Sequence, residues 1–339
     1  MSRGLENLGN TCSINTLVQC LGHCSAFRKA LIEGDLPFQK KFGRMFSIGE
    51  ELTLLWKQLW MDKNHLKPTR FLKALQEALG DSVVIGREQM DFTEIWMLLI
   101  QQLLEESHQA DFSVRIHPPG VSYANPTLRF LKEKAEEESA RHNKVTNSPL
   151  LDIIQGVQIQ QIECKKCHTF YHNLEPFHCS YLELGGGGGI EATSMDDCFE
   201  RYLGAGSVEG WKCDKCQHGE NERVQRFWKL PQVWMLIFQR FHGFNKLHTP
   251  VDFPLEFTLS EGFEMCSGEV IQYKLKSIAN HYGSLNGGHY NAICCAGEGG
   301  AGEAGRWALY DDLSIRPIND MQQVCNKNKY VYALMYERV

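Results

Sequence analysis

Residues 4–15 read Gly4-Leu5-Glu6-Asn7-Leu8-Gly9-Asn10-Thr11-Cys12-Ser13-Ile14-Asn15, and the six that follow, Thr16-Leu17-Val18-Gln19-Cys20-Leu21, have the pattern of a helix. A cysteine where a Gly/Asn turn runs into a helix feels the positive end of the helix dipole, which favours thiolate over thiol. A lone cysteine is more often a small buried apolar residue. The sulfur therefore needs partners before it counts as a nucleophile.

A thiolate nucleophile wants an imidazole to pair with it and later to protonate the leaving group, and the imidazole wants an acid or amide to fix its orientation. Among 13 histidines, His289 stands out, in His281-Tyr282-Gly283-Ser284-Leu285-Asn286-Gly287-Gly288-His289-Tyr290. Gly287 and Gly288 permit close backbone approach by an extended substrate. Downstream, Trp307-Ala308-Leu309-Tyr310-Asp311-Asp312 places two carboxylates at the end of an apolar strand. Taken singly, Asp311-Asp312 reads as a turn and His289 as an ordinary core or surface histidine. Together with Cys12 they make a candidate site.

Working outward, residues 15–130 have helical periodicity. Leu52, Leu55, Trp56, Leu59 and Trp60 form one stripe and Ile95, Leu98, Leu99 and Leu103 another, both read as core seams. The segment 131–148, with Glu136-Glu137-Glu138 at its middle, reads as a solvated helix or loop. From about 150 the signal changes to short β-type runs, at 155–163, 232–241, 270–279 and 330–336. Val233-Trp234-Met235-Leu236-Ile237-Phe238 is apolar on both faces, which predicts a strand buried on each side. The glycine-rich stretches 185–189 and 296–305 hold no large side chain and read as surface loops. A helical first third feeding a β-rich remainder predicts an α+β architecture with a cleft where the halves meet.

Composition narrows the function classes. A net charge of −6, from 35 Lys+Arg against 41 Asp+Glu, gives no basic field for a polyphosphate backbone, so nucleic acid is not an expected partner. No stretch approaches the ~20 apolar residues of a membrane span, and no membrane association is expected. The first residues, Met1-Ser2-Arg3-Gly4-Leu5-Glu6-Asn7, lack the apolar core of a secretory signal. Thirteen cysteines, an odd number, fit a reducing compartment better than a disulfide framework. An intracellular protein is expected, cytoplasmic or nuclear.

Four cysteines form two C-x-x-C pairs, Cys164/Cys167 and Cys213/Cys216, with 45 residues between them. Two such knuckles supply the four thiolates of a tetrahedral zinc site. A thioredoxin-like redox pair is the competing use, but two copies without a βαβ pattern favour metal. Four protein ligands leave the ion no open position, so the expected cofactor is one structural zinc and no catalytic one. His168, His178 and His218 lie nearby as substitute ligands.

With both motifs in view, the chain resembles the catalytic domain of the ubiquitin-specific proteases, papain-like cysteine deubiquitinases. The resemblance runs from Gly4 to Tyr336 with the motifs in the family's order: the cysteine box, the segment Gln89-Met90-Asp91-Phe92-Thr93-Glu94, the strand from Leu230-Pro231 to Arg240-Phe241, and the histidine box at Gly288-His289-Tyr290. It implies a papain-like fold with a helical thumb (1–130) and a β-rich palm and fingers (150–339), the zinc ribbon at about 157–228, in a single catalytic domain over 1–339. It implies Cys12 as nucleophile, His289 as general base and acid, and Asp311 as the residue orienting the imidazole. Asn7 takes the oxyanion-hole position, and Asp312 a second acid supporting the histidine or the hole. Gln89 and Asp91, with the Gly287-Gly288 turn, take the positions that admit the C-terminal tail of ubiquitin, Asp91 facing a tail arginine. Ser13, Met90, Phe92 and Ile95 depart from the family pattern without removing a reacting group.

The implied activity is hydrolysis of the isopeptide or peptide bond after the C-terminal glycine of ubiquitin by a monomer, with ubiquitin or ubiquitinated proteins as partners. The alternatives are a protease for a ubiquitin-like modifier, a catalytically silent ubiquitin-binding relative, and a zinc-ribbon scaffold with no ubiquitin role. The last leaves both boxes unexplained.

Overall fold

A computed structural model describes residues 2–34, 36–61, 66–80, 84–109, 147–185, 192–243, 245–259, 270–284, 287–297 and 305–339. Most of the charged segment 131–148 and of the two glycine-rich stretches lies outside the described residues.

The N-terminal part is helical, as its periodicity predicts: α1 (Cys12–Gly22), α2 (Ser25–Ile32), α3 (Ile48–Met61), α4 (Thr69–Leu79) and α5 (Phe92–Glu106). Leu52, Leu55, Trp56 and Leu59 of α3 and Ile95, Leu99 and Leu103 of α5 are buried in one core, with Trp60 and Leu98 at its margin. Asp91 starts α5 by accepting a bond from the Thr93 N–H (2.8 Å). At its other end, buried Glu106 accepts from the N–H groups of Ile48 (3.1 Å) and Gly49 (2.9 Å), satisfying orphan donors of α3.

The strands follow in chain order: β1 (Gly156–Cys164), β2 (Phe170–Phe177), β3 (Ser180–Glu183), β4 (Thr193–Ser194), β5 (Asn221–Lys229), β6 (Val233–Gln239), β7 (Phe241–His242), β8 (Asn245–Lys246), β9 (Val251–Asp252), β10 (Glu256–Leu259), β11 (Ile271–Ser284), β12 (Gly287–Gly297), β13 (Arg306–Asp311), β14 (Ser314–Ile318) and β15 (Val331–Arg338). Eight of them form one sheet in the order β14-β13-β12-β11-β15-β6-β3, with β10 also on β11. Its pairs are antiparallel except β3 with β6.

Along β6 the side chains alternate between two cores. Val233, Met235 and Ile237 face the helices, while Trp234, Leu236 and Phe238 join a second cluster with Met195, Cys198 and Phe199. That is why this strand carries no polar face. At its end, the fully buried Arg240 donates to the carbonyls of Val331, Leu247 and Thr249, tying the strand to the start of β15 and to the chain after β8.

On the helical face, Ala279, Ala292, Cys294, Ala308 and Ala333 present small side chains, and α1 lies against β11, β12 and β13. Every residue of α1 is buried. A separate three-stranded sheet, β2-β1-β5, extends from the large one, and its tip carries the C-x-x-C pairs. Between β2 and β5 the chain returns to the large sheet through β3 and the helix Met195–Leu203. Among the described residues no helix is long and apolar enough to cross a membrane, and all twelve described cysteines are free thiols.

Candidate active site

Cys12 is the first residue of α1 and is 4% exposed. It sits where the helix N–H groups have no partner one turn back, as the motif predicts. The turn before it runs through left-handed backbone at Gly9 and Asn10 (φ 93° and 45°). Asn7 ties that turn together, its Oδ1 accepting from the Gly9 N–H, the Thr11 N–H and the Thr11 hydroxyl, each at 3.1 Å.

The N-terminal segment presses on the turn after β13. Leu5 N–H donates to the Asp312 carbonyl (3.0 Å), and a Cβ at Gly4 would stand 2.6 Å from backbone atoms of Asp312 and Leu313. This close approach brings residue 7 and residues 311–312, some three hundred positions apart, to one place.

His289 lies in β12, and its Nε2 donates to Asp311 Oδ1 at 2.5 Å. Interaction with the Cys12 side chain, then the bond to Asp311, raises the imidazole pKa from 6.5 to about 9, against the opposing effect of partial burial. A charged imidazole beside a sulfur at a helix N-terminus can serve a cysteine nucleophile as its acid–base partner.

Asp312 turns the other way. Its backbone is left-handed (φ 51°), Oδ2 accepts from Asn7 Nδ2 (2.9 Å), and Oδ1 accepts from Asn15 Nδ2 (2.8 Å). Of its two implied roles, the geometry favours support of the Asn7 amide. Asn15 received no role in the sequence reading. The signal was present: an amide one turn beyond the nucleophile, on a helix whose every side chain is buried.

Gln89 and Asp91 both reach the sheet beside His289. Gln89 exchanges two bonds of 2.8 Å with the Gly288 backbone, Nε2 to the carbonyl and Oε1 from the N–H. Asp91 accepts from the hydroxyls of Tyr290 (2.9 Å) and Tyr332 (2.9 and 3.1 Å) as well as from Thr93. Tyr332 was not anticipated, since β15 is remote in sequence. At Gly288 the missing side chain makes room for the protein itself: a Cβ would lie 2.2 Å from His281 Nε2 and 2.3 Å from the Tyr282 carbonyl. Gly287 is open, its nearest neighbour being Gln89 Oε1 at 3.8 Å.

At the tip of the small sheet, the sulfurs of Cys164, Cys167, Cys213 and Cys216 lie within 4.8 Å of one another, with Cys164–Cys216 at 3.6 Å and Cys167–Cys213 at 3.5 Å. A tetrahedron with Zn–S bonds of ~2.3 Å has edges of ~3.8 Å, so the two measured edges are close to what the ion requires. The two knuckles are built alike. The N–H of His168 donates to the Cys164 carbonyl and that of Gln217 to the Cys213 carbonyl, and both of these residues are left-handed (φ 52° and 58°). His168 turns to Glu163 and His218 to Glu220, while His178 sits at the base of the sheet, so the four-cysteine set needs no histidine.

The family model of ubiquitin carboxyl-terminal hydrolase matches residues 3–336, and the chain belongs to that family. Bovine ubiquitin carboxyl-terminal hydrolase 21 is 28% identical over 366 residues, covering 98% of this chain and 62% of the relative. Ubiquitin carboxyl-terminal hydrolase 4 of Vanderwaltozyma polyspora is 25% identical over 382 residues, covering 99% of this chain and 41% of the relative. The chain thus spans less than two thirds of the length of these relatives. Among solved structures, the SAGA Ubp8/Sgf11/Sus1/Sgf73 DUB module bound to ubiquitin aldehyde is similar at a TM-score of 0.73 and 19% identity, over 99% of this chain and 69% of that one. The likeness establishes the fold: the mixed helix and sheet of the ubiquitin-specific proteases.

Proposed function

We propose that the chain is a thiol-dependent deubiquitinase that hydrolyses the isopeptide or peptide bond after the C-terminal glycine of ubiquitin. The observation that carries this reading is the bond of His289 to Asp311 beside Cys12 at the start of α1, an arrangement in which Cys12 and then Asp311 raise the imidazole pKa to about 9. Family membership and the names of the relatives support it.

In this reading the Cys12 thiolate adds to the glycine carbonyl carbon. Asn7 Nδ2–H and the Cys12 N–H stabilise the oxyanion, a contribution of ~3 kcal/mol per donor. His289 gives its proton to the departing lysine amine as the C–N bond breaks, leaving a thioester. Water then adds to the thioester, His289 takes its proton, and the C–S bond breaks to release the carboxylate and restore the pair. The turn at Gly287, narrowed by Gln89, admits a tail without side chains, which suits a substrate ending in glycine. One chain supplies every reacting group, so a monomer in a reducing compartment suffices.

Cys164, Cys167, Cys213 and Cys216 would hold a structural zinc, which ties two long hairpins together at a point without a hydrophobic core. The helices α1 to α5 then form a thumb, the large sheet a palm, and the β2-β1-β5 sheet fingers against the body of ubiquitin.

The test is hydrolysis of a ubiquitin C-terminal fluorogenic amide by the wild type and Cys12→Ala, together with labelling by electrophile-tagged ubiquitin and ubiquitin-like modifiers. Turnover that survives Cys12→Ala removes the thiol mechanism, and labelling by another modifier in place of ubiquitin corrects the substrate.

A further inference from the structure

β13 pairs with β12 only from Ala292 onward, so among the described residues no strand lies beside 287–291 on that edge. The edge is occupied instead by the chain before α5. Gln89 bonds both backbone groups of Gly288, and Asp91 binds the hydroxyl of Tyr290. Positions 89 and 91 are thus matched to 288 and 290, two rungs with His289 between them.

The second rung is well anchored. The two oxygens of Asp91 accept from three donors, Thr93 N–H, Tyr290 OH and Tyr332 OH, the last within hydrogen-bond distance of both oxygens. Tyr290 and Tyr332 are 7% and 6% exposed, so these bonds are sheltered from water. Gln89 is exposed, and apart from the two bonds to Gly288 its side chain has no structural duty in the helical part.

We propose that Gln89 and Asp91 are positioning residues that hold the two neighbours of His289, Gln89 by the backbone of Gly288 and Asp91 by the side chain of Tyr290, and so set its ring against Cys12 before any substrate arrives. This deepens the functional reading, since it takes Cys12 and His289 as the reacting pair. The groups facing the imidazole are Cys12 from α1, Asp311 and Asp312 from the end of β13, and from β11 His281 and, directly opposite, Tyr282. Burial lowers the His281 pKa to about 4, so it stays uncharged, and Lys246 behind it bonds the His281 carbonyl. Displacing the ring would therefore weaken its pairing with Cys12 without a second imidazolium to replace it.

The experiment uses the full chain and iodoacetamide, following the Cys12 peptide by mass spectrometry across pH. In the wild type the ring is set against Cys12 and the sulfur reacts at neutral pH. Gln89→Ala and Tyr290→Phe, each still melting cooperatively, are expected to slow it about ten-fold at neutral pH. On the ubiquitin amide, kcat falls with little change in KM. An unchanged alkylation profile in Gln89→Ala, with KM raised, overturns the proposal and makes residue 89 a substrate contact alone. Alkylation that depends on Gln89 in a chain that ignores ubiquitin keeps the positioning role and removes the deubiquitinase reading.

Discussion

Asp311 and Asp312 are consecutive, yet their carboxylates serve different partners: Asp311 holds His289 Nε2 at 2.5 Å, while Asp312 is gripped by Asn7 and Asn15 at 2.9 and 2.8 Å. The left-handed backbone at Asp312 makes this divergence possible. In the proposed mechanism one acid orients the base, and its neighbour orients the amide of the oxyanion hole.

The two acids should therefore fail differently. Asp311→Ala is expected to lower kcat by about a hundred-fold or more and to shift the pH profile of Cys12 alkylation, because the ring loses its anchor. Asp312→Ala should lower kcat by ten- to a hundred-fold, on the order of one oxyanion donor misplaced, and leave the alkylation profile in place. Steady-state kinetics beside alkylation separate the two.

Asn7→Ala extends the comparison. Removing the amide should cost about 10²-fold in kcat while Cys12 still reacts with iodoacetamide at the wild-type rate. A matching loss in both assays would show that Asn7 acts by holding the turn before Cys12, through its three bonds there.

The pH dependence has a sign. His289 has a folded pKa of about 9, above the ordinary 6.5, so the stability it contributes is fully present below pH 6.5 and is lost as pH rises through about 9. The leaving amine needs the imidazolium proton, so kcat/KM for a ubiquitin amide should hold through neutral pH and decline on the alkaline side near pH 9. A decline centred at or below about pH 7 would mean that the ring is not paired in solution.

Gly287 and Gly288, identical in sequence, should respond oppositely to a methyl group. Gly288→Ala forces a Cβ to 2.2 Å from His281 Nε2 and should cost ~1–3 kcal/mol of stability and most of the activity. Gly287→Ala meets only ordinary van der Waals contact, 3.8 Å from Gln89 Oε1, so its melting temperature should stay near wild type. Thermal melts of the two variants decide it.

Metal removal should act on the fingers. Metal analysis is expected to find about one zinc per chain, and Cys213→Ser or chelation should lower the melting temperature. Cys12, on a helix in a different core, should still be alkylated. An unchanged melt after complete chelation would show that the four sulfurs do not rely on the ion.

Much of this was legible in the residues. The stripes on α3 and α5, the doubly buried β6 and the two knuckles follow from local spacing, and the structure places each as expected. Cys12 at a helix start was equally readable, because turn and helix signals abut there. What local pattern did not reveal was pairing at long range. Asn15 with Asp312, Gln89 with Gly288 and Asp91 with Tyr332 join residues some two to three hundred positions apart, and nothing in periodicity marks such partners. The two glycines show the same limit: sequence equates them, and only the neighbour behind Gly288 tells them apart.

α1 has no solvent face at all, its eleven residues enclosed between α5 and the sheet. The Cys12 sulfur is thus mounted on a rod packed on every side. In the proposed reaction, accommodation of differently shaped cargo falls to the chain that faces this rod, and an engineer seeking altered selectivity should leave the rod alone and vary that chain.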